Sequence, residues 1–186
     1  MKKLLLTLLL TVLSFGAAIA QTSNNPGEVF IQQAGFEHND AVKQFTSDFV
    51  TMFVMDFDAF NGFGDESNVA IANQFGIGNR SDIAQTGWGN RALVNILGDR
   101  NTTGVEQRGN SNRLVLNLEG SDNEFEGAQL GSDNSLRIDM IGSAQNQSFR
   151  QIGNNMSFHM IDNGNGSVPL LIEQRGNGAS VIIENH

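Results

Sequence analysis

The sequence predicts an all-β protein, a β-solenoid of stacked 22-residue strand-arc-strand-arc coils, from three regularities. Glycine recurs every eleven residues from Gly76 to Gly164 and, after a one-residue slip, at Gly176. Asparagine stands three residues after each of the first six of these glycines, and from Gln85 to Gln151 the residue two before each glycine alternates between Gln and an apolar residue. A unit this short cannot bury an apolar face alone, so successive units must stack.

Each half-unit of eleven residues is predicted to contain one strand. Counting by twos from Asn90 gives Ala92, Val94 and Ile96, and the other half-units show the same alternation. A helix would need apolar residues at spacings of three and four, which are not seen. The residues between the inward positions, among them Asn95, Asn117 and Asp139, are largely polar and are expected to face water.

Four-residue arcs join the strands, and they hold the residues that accept positive φ or bond their own backbone. The arc glycines are Gly76, Gly87, Gly98, Gly109, Gly120, Gly131, Gly142, Gly153, Gly164 and Gly176. Successive coils should lie about 4.8 Å apart, so equivalent amides would stack into hydrogen-bonded rows. The residues expected in these structural ladders are Gln74, Gln85, Gln107, Gln129, Gln151, Gln174, Asn79, Asn90, Asn101, Asn112, Asn123 and Asn134.

With these motifs the chain resembles the curlin repeat family, the secreted bacterial amyloid subunits of curli fibres. The family pattern is S-x5-Q-x-G-x-x-N-x-A-x3-Q, and the stretches that begin at Gln85, Gln107 and Gln129 keep its core. The resemblance covers roughly residues 28 to 44 and 67 to 186. The sequence departs from the family where Ile96, Leu118 or Met140 replaces the second Gln, and where the Gly-rich segment after the signal peptide is missing.

The first residues of the chain are predicted to be a signal peptide, residues 1 to 20, with two lysines, an apolar run and a small-x-small cleavage site at Ala18-Ile19-Ala20. A short leader, residues 21 to 27, follows. Residues 28 to 186 are then predicted to form a single solenoid domain, which opens with one coil at 28 to 44.

Residues 45 to 63 break the eleven-residue phase and contain six phenylalanines. We interpret them as an irregular coil whose rings fill core space, with an apolar docking surface as the alternative. The regular array runs to Asp162, and a Gly-rich insertion of one residue precedes the last strand pair. There Leu170, Ile172, Val181 and Ile183 are predicted to point inward. No polar cap follows that pair, so we expect an open edge on which another copy can stack.

Composition excludes several classes of protein. Without Lys2 and Lys3 the chain has nine basic and twenty acidic residues, a net charge of about −11 that argues against nucleic-acid binding. There is no Cys, so no disulfide holds the fold of an exported protein. Only two Pro occur, which suits continuous strand pairing.

No residue pattern points to catalysis, a metal or a cofactor. Asp65, Asp99, Asp122 and Asp133 lie near arcs but lack the nonapeptide of calcium-binding β-rolls, so we interpret them as turn formers. The three histidines, His38, His159 and His186, have no partner at metal-ligand or catalytic spacing. An outward acid pair, Glu124 and Glu126, is the best argument for a solenoid hydrolase, and nothing else supports it.

The family resemblance implies a secreted structural subunit of a curli-like amyloid fibre. Such a subunit would assemble end to end by strand stacking into an extracellular, cell-surface fibre for adhesion and biofilm matrix. Its partners would be copies of itself, a related curlin subunit and an outer-membrane export machinery. Whether it would be the main or a minor nucleating subunit stays open. The alternative is a monomeric solenoid adhesin or carbohydrate-binding module.

Overall fold

The solenoid fold is confirmed by a computed structural model of the chain. It describes residues 17–19, 27–34, 67–164 and 168–185, the first two ranges as backbone alone. Within them every regular element is a β-strand. The strands are β1 (Ala17–Ile19), β2 (Gly27–Ala34), β3 (Asn68–Phe75), β4 (Arg80–Thr86), β5 (Arg91–Leu97), β6 (Thr102–Arg108), β7 (Arg113–Glu119), β8 (Glu124–Leu130), β9 (Ser135–Ile141), β10 (Asn146–Asn154), β11 (Ser157–Asp162), β12 (Leu170–Asn177) and β13 (Ser180–Asn185).

From β3 onward, consecutive strands belong to opposite sheets. Sheet A has the order β1-β4-β6-β8-β10-β12, and sheet B has the order β13-β11-β9-β7-β5-β3-β2. All pairings are parallel, and neighbours from β3 to β11 keep one constant offset of two half-units, as Gln107 opposite Gln129 illustrates. Each pair from β3–β4 to β11–β12 is therefore one coil, as the eleven-residue period predicts.

The one-residue slip near Gly164 is absorbed in the arc between β11 and β12. After it, the offset between paired strands is longer by one residue, so that Gln151 lies opposite Gln174 and Met160 opposite Ile183. Side-chain register is thereby kept across the insertion, because the extra residue lies outside the strands. The last strands β12 and β13 point Leu170, Ile172, Val181 and Ile183 toward the core, as predicted.

The N-terminal part of the solenoid follows the same register. β2 pairs with β3 and places Gln33 opposite Gln74, so the strand predicted near residue 28 stacks on the array. The rest of that coil, residues 35 to 44, and the Phe-rich segment 45–63 lie outside the described residues. So do most of the predicted signal peptide and leader, although β1 pairs with β4.

The core fills the space between the two sheets. Sheet B contributes mainly aliphatic side chains, such as Leu114 and Leu116, which are fully buried. At one end three aromatic rings are in contact: the centroids of Phe125 and Phe149 are 5.8 Å apart, and those of Phe149 and Phe158 are 5.3 Å apart. In the part of the chain that the structure describes, no helix has the length and apolar character to cross a membrane.

Candidate functional site

A row of glutamines runs through the interior along sheet A. The Nε2 of each donates to the Oε1 of the glutamine in the next coil, at 2.7 Å for Gln85–Gln107 and Gln107–Gln129. The distance is 2.9 Å for Gln129–Gln151 and Gln151–Gln174. The five side chains are buried, so the row satisfies polar groups that would otherwise be costly in the core.

The same amides also connect the two sheets. The Nε2 of Gln107 donates to the backbone oxygen of Arg91 at 3.1 Å, and that of Gln129 to the oxygen of Arg113 at 2.9 Å. Both acceptors lie on sheet B, sixteen residues earlier in the chain. The Nε2 of each of these glutamines therefore donates once along the axis and once across the core.

Gln74 does not belong to this row, and its assignment to the glutamine ladder is wrong. It lies on β3 in sheet B, where its register partner in the next coil is Ile96. Its Nε2 donates instead to the Oγ of Ser81 at 2.5 Å. The physical reason is that one half-unit carries the chain to the opposite sheet, so a ladder takes residues only from every second half-unit.

Asparagines form two further rows, one at each arc. In one row Asn101 donates through N and Nδ2 to the Oδ1 of Asn79, and Asn123 donates likewise to Asn101. The other row joins Asn68, Asn90, Asn112 and Asn134 in the same way. Asn68 extends it by one coil, a position that the glycine spacing alone did not single out.

The Gly-x-x-Asn spacing follows from the contact between stacked arcs. The Nδ2 of Asn112 donates to the oxygen of Gly131 in the next coil at 2.8 Å. That oxygen also faces Gly109, where an added Cβ would lie only 1.9 Å from it, and Gly109 has a φ of +117°. Glycine is thus required both by its conformation and by the close approach of the next arc.

The other arc glycines share this geometry up to Gly153. At each of Gly76, Gly87, Gly98, Gly120, Gly131 and Gly153 an added Cβ would lie 2.0 Å or less from the oxygen of the equivalent glycine one coil further on. Around the slip the contact changes: Gly142 faces the Cα of Gly164, and Gly164 faces the oxygen of Ile141. Gly176 has nothing within 4 Å of such a Cβ.

Short polar side chains form another set of rows at the arcs. The Oδ1 of Asp99 accepts from the backbone N of Ile77 at 2.8 Å, and the Oγ of Ser121 accepts from that of Asp99 at 3.2 Å. On the opposite arc the Oδ1 of Asn110 accepts from the N of Trp88 at 3.1 Å. The turn-forming residues thus also bond between coils, which composition alone could not show.

A row of amides runs along the outer face of sheet B, where the sequence predicted side chains facing water. The Nδ2 of Asn73 donates to the Oδ1 of Asn95, and that of Asn95 donates to the Oδ1 of Asn117, both at 2.8 Å. Asn117 then donates to Asp139 at 2.5 Å. Asn95 is buried, so its predicted exposure is wrong; the prediction assumed that only one face of sheet B is covered.

The carboxylate that ends this row has a lowered pKa. Partial burial raises the pKa of Asp139, but hydrogen bonds from Asn117 and Arg137 and the charge of Arg137 outweigh that effect. Arg137 Nε lies 2.9 Å and His159 Nε2 lies 3.2 Å from Asp139 Oδ2. The outward Asn row therefore ends in an ion pair.

A second carboxylate lies inside the solenoid near its C-terminal end. Asp162 is buried and occupies the sheet B position that Met140 holds one coil earlier. It accepts from the Nε2 of Gln147 at 2.5 Å and from the Nδ2 of Asn185 at 3.0 Å. These two amides give the buried carboxyl group the hydrogen-bond donors that a buried polar group requires.

The residues considered for catalysis or metal binding are spread out. Glu124 and Glu126 are exposed on β8, and Glu124 accepts from Asn146 at 2.8 Å. Asp122 pairs with Arg100 at 2.7 Å. Within the described ranges no three His, Asp or Glu side chains are grouped so as to hold a metal ion. Asp65, His38 and His186 lie outside those ranges.

Comparison with protein-family models, with curated proteins and with solved structures gave no match. The geometry is accordingly interpreted from the residues themselves. What it offers is a stack of coils in which rows of glutamine, asparagine and aliphatic side chains run along one axis.

Proposed function

We propose that the chain is a secreted structural subunit of a curli-like amyloid fibre, which assembles end to end by strand stacking. The observation that supports this proposal is the continuity of the rows. Each interior coil is bonded through its backbone, its glutamine and its asparagines to the coil on either side, as Gln107 is bonded to Gln85 and Gln129. A coil from a second copy could continue the backbone pairing and the glutamine row, because the same amide donor and acceptor recur from Gln85 to Gln174.

The C-terminal coil offers the surface on which such a copy would stack. β12 and β13 are the last strands of their sheets in the described chain. The inward side chains of these strands, among them Ile172 and Ile183, are only partly buried, whereas those of the interior coils are buried. Strand edges of this kind template the pairing of further strands. Another coil would cover the aliphatic groups and complete the ladder.

The proposed setting follows from the predicted signal peptide and from the curlin resemblance. The subunit would leave the cell through an outer-membrane export machinery and polymerise with itself and a related curlin subunit. The fibre would lie at the cell surface and serve adhesion and biofilm matrix. No enzymatic step is part of the proposal.

A seeding experiment tests this function. Residues 21 to 186 are purified in denaturant, diluted at several concentrations, and followed by dye binding with and without preformed fibres. We expect concentration-dependent growth that added fibres can seed, and a diffraction spacing of about 4.7 Å along the fibre axis. A soluble monomer that never seeds would contradict the proposal and would favour the solenoid adhesin or carbohydrate-binding module.

Two neighbouring residues of β12 provide a matched pair of variants. Ile172 points into the terminal coil, whereas the adjacent Leu171 points outward and is 73% exposed. Ile172→Lys should place a charge in the stacking surface and stop elongation of added seeds. Leu171→Lys adds the same charge to the same strand and should elongate at close to the unmodified rate. Equal inhibition by both would contradict end-to-end stacking.

A further inference from the structure

Sheet B extends beyond sheet A at both ends of the described chain. At the C-terminal end the last strand of sheet A is β12, and β13 follows it by one half-unit in sheet B. At the N-terminal end β2 is the last strand of sheet B. β1 lies beside β4 in sheet A, but it falls within the predicted signal peptide, which a secreted chain would lose. In a continuous solenoid, the position that follows β13 therefore lies along the edge of β12.

A second copy can be stacked on β12 and β13 in two ways that keep all strands parallel. In the full-coil arrangement sheet B continues sheet B, so β2 of the second copy pairs with β13. The edge of β12 then meets no described strand at that level, since β2 is used in the other sheet. In the half-turn arrangement the second copy is rotated by half a turn about the axis, and its β2 pairs with β12. The two half-units of a coil have the same plan, so a half turn keeps the stacking geometry.

The half-turn arrangement continues the glutamine row across the joint. Gln33 lies opposite Gln74, and both stand two residues before a glycine, as Gln174 does. Pairing β2 with β12 in this register sets Gln33 of the second copy opposite Gln174, with Gln74 of that copy next in line. The full-coil arrangement would instead set Gln33 opposite Asn185, and the row in sheet A would end at Gln174. Continuation of the row satisfies one more buried amide at the joint.

The hydrogen bonds of Gln174 differ from those of the interior glutamines in the axial donor. The Nε2 of Gln129 donates to the glutamine of the next coil and to a backbone oxygen across the core. The Nε2 of Gln174 keeps the bond across the core, to the oxygen of Ser157 at 3.3 Å. Its other bond goes to the oxygen of Ala179 at 2.9 Å. A glutamine of a second copy beside Gln174 would restore the interior pattern.

The half-turn arrangement also explains where glutamine occurs in sheet B. Gln33 and Gln74 hold the last paired positions before the arc glycines in β2 and β3, whereas Ile96 and Leu118 hold this position in the next two coils. Within one chain, these two glutamines lie in the sheet that the glutamine row does not use. A half turn brings them into line with sheet A of the copy before, at the point where its row ends.

The apolar positions match in the same register. Counting back along β2 and β12 places Ile31 opposite Ile172 and Val29 opposite Leu170. Leu170 and Ile172 are only partly buried at the C-terminal end. Apolar residues at the matching positions of a second copy would cover them, and burial of apolar surface is the main favourable term in association.

We propose that successive copies in the fibre are related by half a turn about the axis, with β2 of each copy paired in parallel with β12 of the copy before and Gln33 opposite Gln174. This joint belongs to the fibre of the proposed function and rests on it. A head-to-tail joint of this kind generates an open filament. Sheets A and B then alternate along each face of the fibre from one copy to the next.

Pairs of cysteines distinguish the two arrangements, because the chain contains none of its own. The half-turn register sets Gln32 opposite Glu173, and the full-coil register sets Gln32 opposite Glu184. Paired residues of neighbouring strands lie about 4.8 Å apart, within the range of about 4.4–6.8 Å that a disulfide spans. Glu173 and Glu184 are both exposed. The double variants Gln32→Cys/Glu173→Cys and Gln32→Cys/Glu184→Cys are therefore matched in residue type and charge.

Fibres of each double variant are grown from residues 21 to 186 under reducing conditions, oxidised, and separated by denaturing electrophoresis without reductant. We expect the pair at 32 and 173 to give roughly tenfold more disulfide-linked multimers than the pair at 32 and 184. Equal yields, the reverse ratio or fibres without links would overturn the half-turn joint and leave the fibre itself in place. A chain that forms no fibres, unmodified or variant, would contradict the proposed function and the joint together.

A photoreactive amino acid at position 32 gives an answer even where a double variant does not assemble. Fibres are grown from an equal mixture of light and heavy isotope-labelled chains, irradiated and digested with trypsin. Cleavage after Arg175 places Glu173 and β13 in different peptides. We expect mixed-isotope cross-links to the peptide that contains Glu173. Mixed-isotope cross-links to the peptide that contains β13, or the absence of any cross-link between the isotopes, would overturn the proposal.

Discussion

Replacing Gln107 by Leu, alone and together with Gln129→Leu, should reveal how far the glutamine row acts as a unit. Leucine has a volume similar to that of glutamine, and Leu118 already occupies the equivalent position of sheet B, so packing is largely kept. The hydrogen bonds are not. Gln107→Leu removes the donor to Gln129 Oε1 at 2.7 Å and the donor to the oxygen of Arg91 at 3.1 Å.

The magnitude follows from the side-chain groups that each change deprives of a partner in the row. Gln107→Leu removes the donor to Gln129 Oε1 and the acceptor of Gln85 Nε2, and Gln129→Leu removes the donor to Gln151 Oε1 and the acceptor of Gln107 Nε2. At about 1–3 kcal/mol for each buried group left unsatisfied, either single change should lower the free energy of unfolding by about 2–6 kcal/mol. The double change affects two groups instead of four, because Gln107 Nε2 and Gln129 Oε1 are both gone. The cycle should therefore show a coupling of about 2–6 kcal/mol.

Guanidinium unfolding of fresh, dilute protein, followed by far-UV circular dichroism, measures these free energies. Thr102→Ala is the matched control, because Thr102 lies on the same strand as Gln107 and is exposed; its effect should stay within about 0.5 kcal/mol. Additive losses from the two glutamine changes, or a control that costs as much as Gln107→Leu, would refute the role given to the row.

Two other predictions concern the arcs and the outer face of sheet B. Gly109→Ala would place a Cβ 1.9 Å from the oxygen of Gly131, so its melting temperature should fall by more than about 10 °C. The added Cβ of Gly178→Ala meets nothing within 4 Å and carries only the cost of a φ of +71°, so its melting temperature should fall by only about 2–5 °C. Similar falls in the two variants would contradict the packing of the arcs. Because the pKa of Asp139 is lowered in the folded chain, its carboxylate stabilises the fold above the unfolded pKa of about 3.9 and loses this effect as the pH falls through the folded value. When the free energy of unfolding is measured in urea at a series of pH values from about pH 5 downward, Asp139→Asn should therefore lose less stability than the unmodified chain. Parallel curves of this free energy against pH would count against the pairing with Arg137.

The eleven-residue phase made most of the fold predictable. Glycine and asparagine at fixed spacing define the arcs, and alternation between them defines the inward face, so strand bounds and register follow from counting. The reason is that a solenoid repeats its long-range contacts at a constant sequence separation. Even the longer offset after Gly164 could be predicted, because the extra residue falls among glycines that tolerate it.

Three features could not be predicted because they depend on contacts with no period. Asn95 and Leu93 occupy outward positions that the alternation assigns to water, yet both are buried, which the period alone does not give. Asp162 is a buried acid at an apolar position, stabilised by Gln147 from the opposite sheet. Gln74 fits the sequence motif, but its half-unit lies in sheet B, whereas the glutamine row runs along sheet A.

The difference between the two sheets also determines how coils can stack. A coil turned by half a unit would bring Gln107 into the row of Ile96 and Leu118. Its amide would then lie among aliphatic groups without the partner it has in Gln129, at a cost of about 1–3 kcal/mol for every coil so misplaced. If both sheets carried a row of glutamines, stacking shifted by one half-unit would leave every glutamine with a glutamine partner and would carry no such cost. The alternation of Gln with Ile, Leu and Met therefore selects the full-coil register over a slip of one half-unit within one chain.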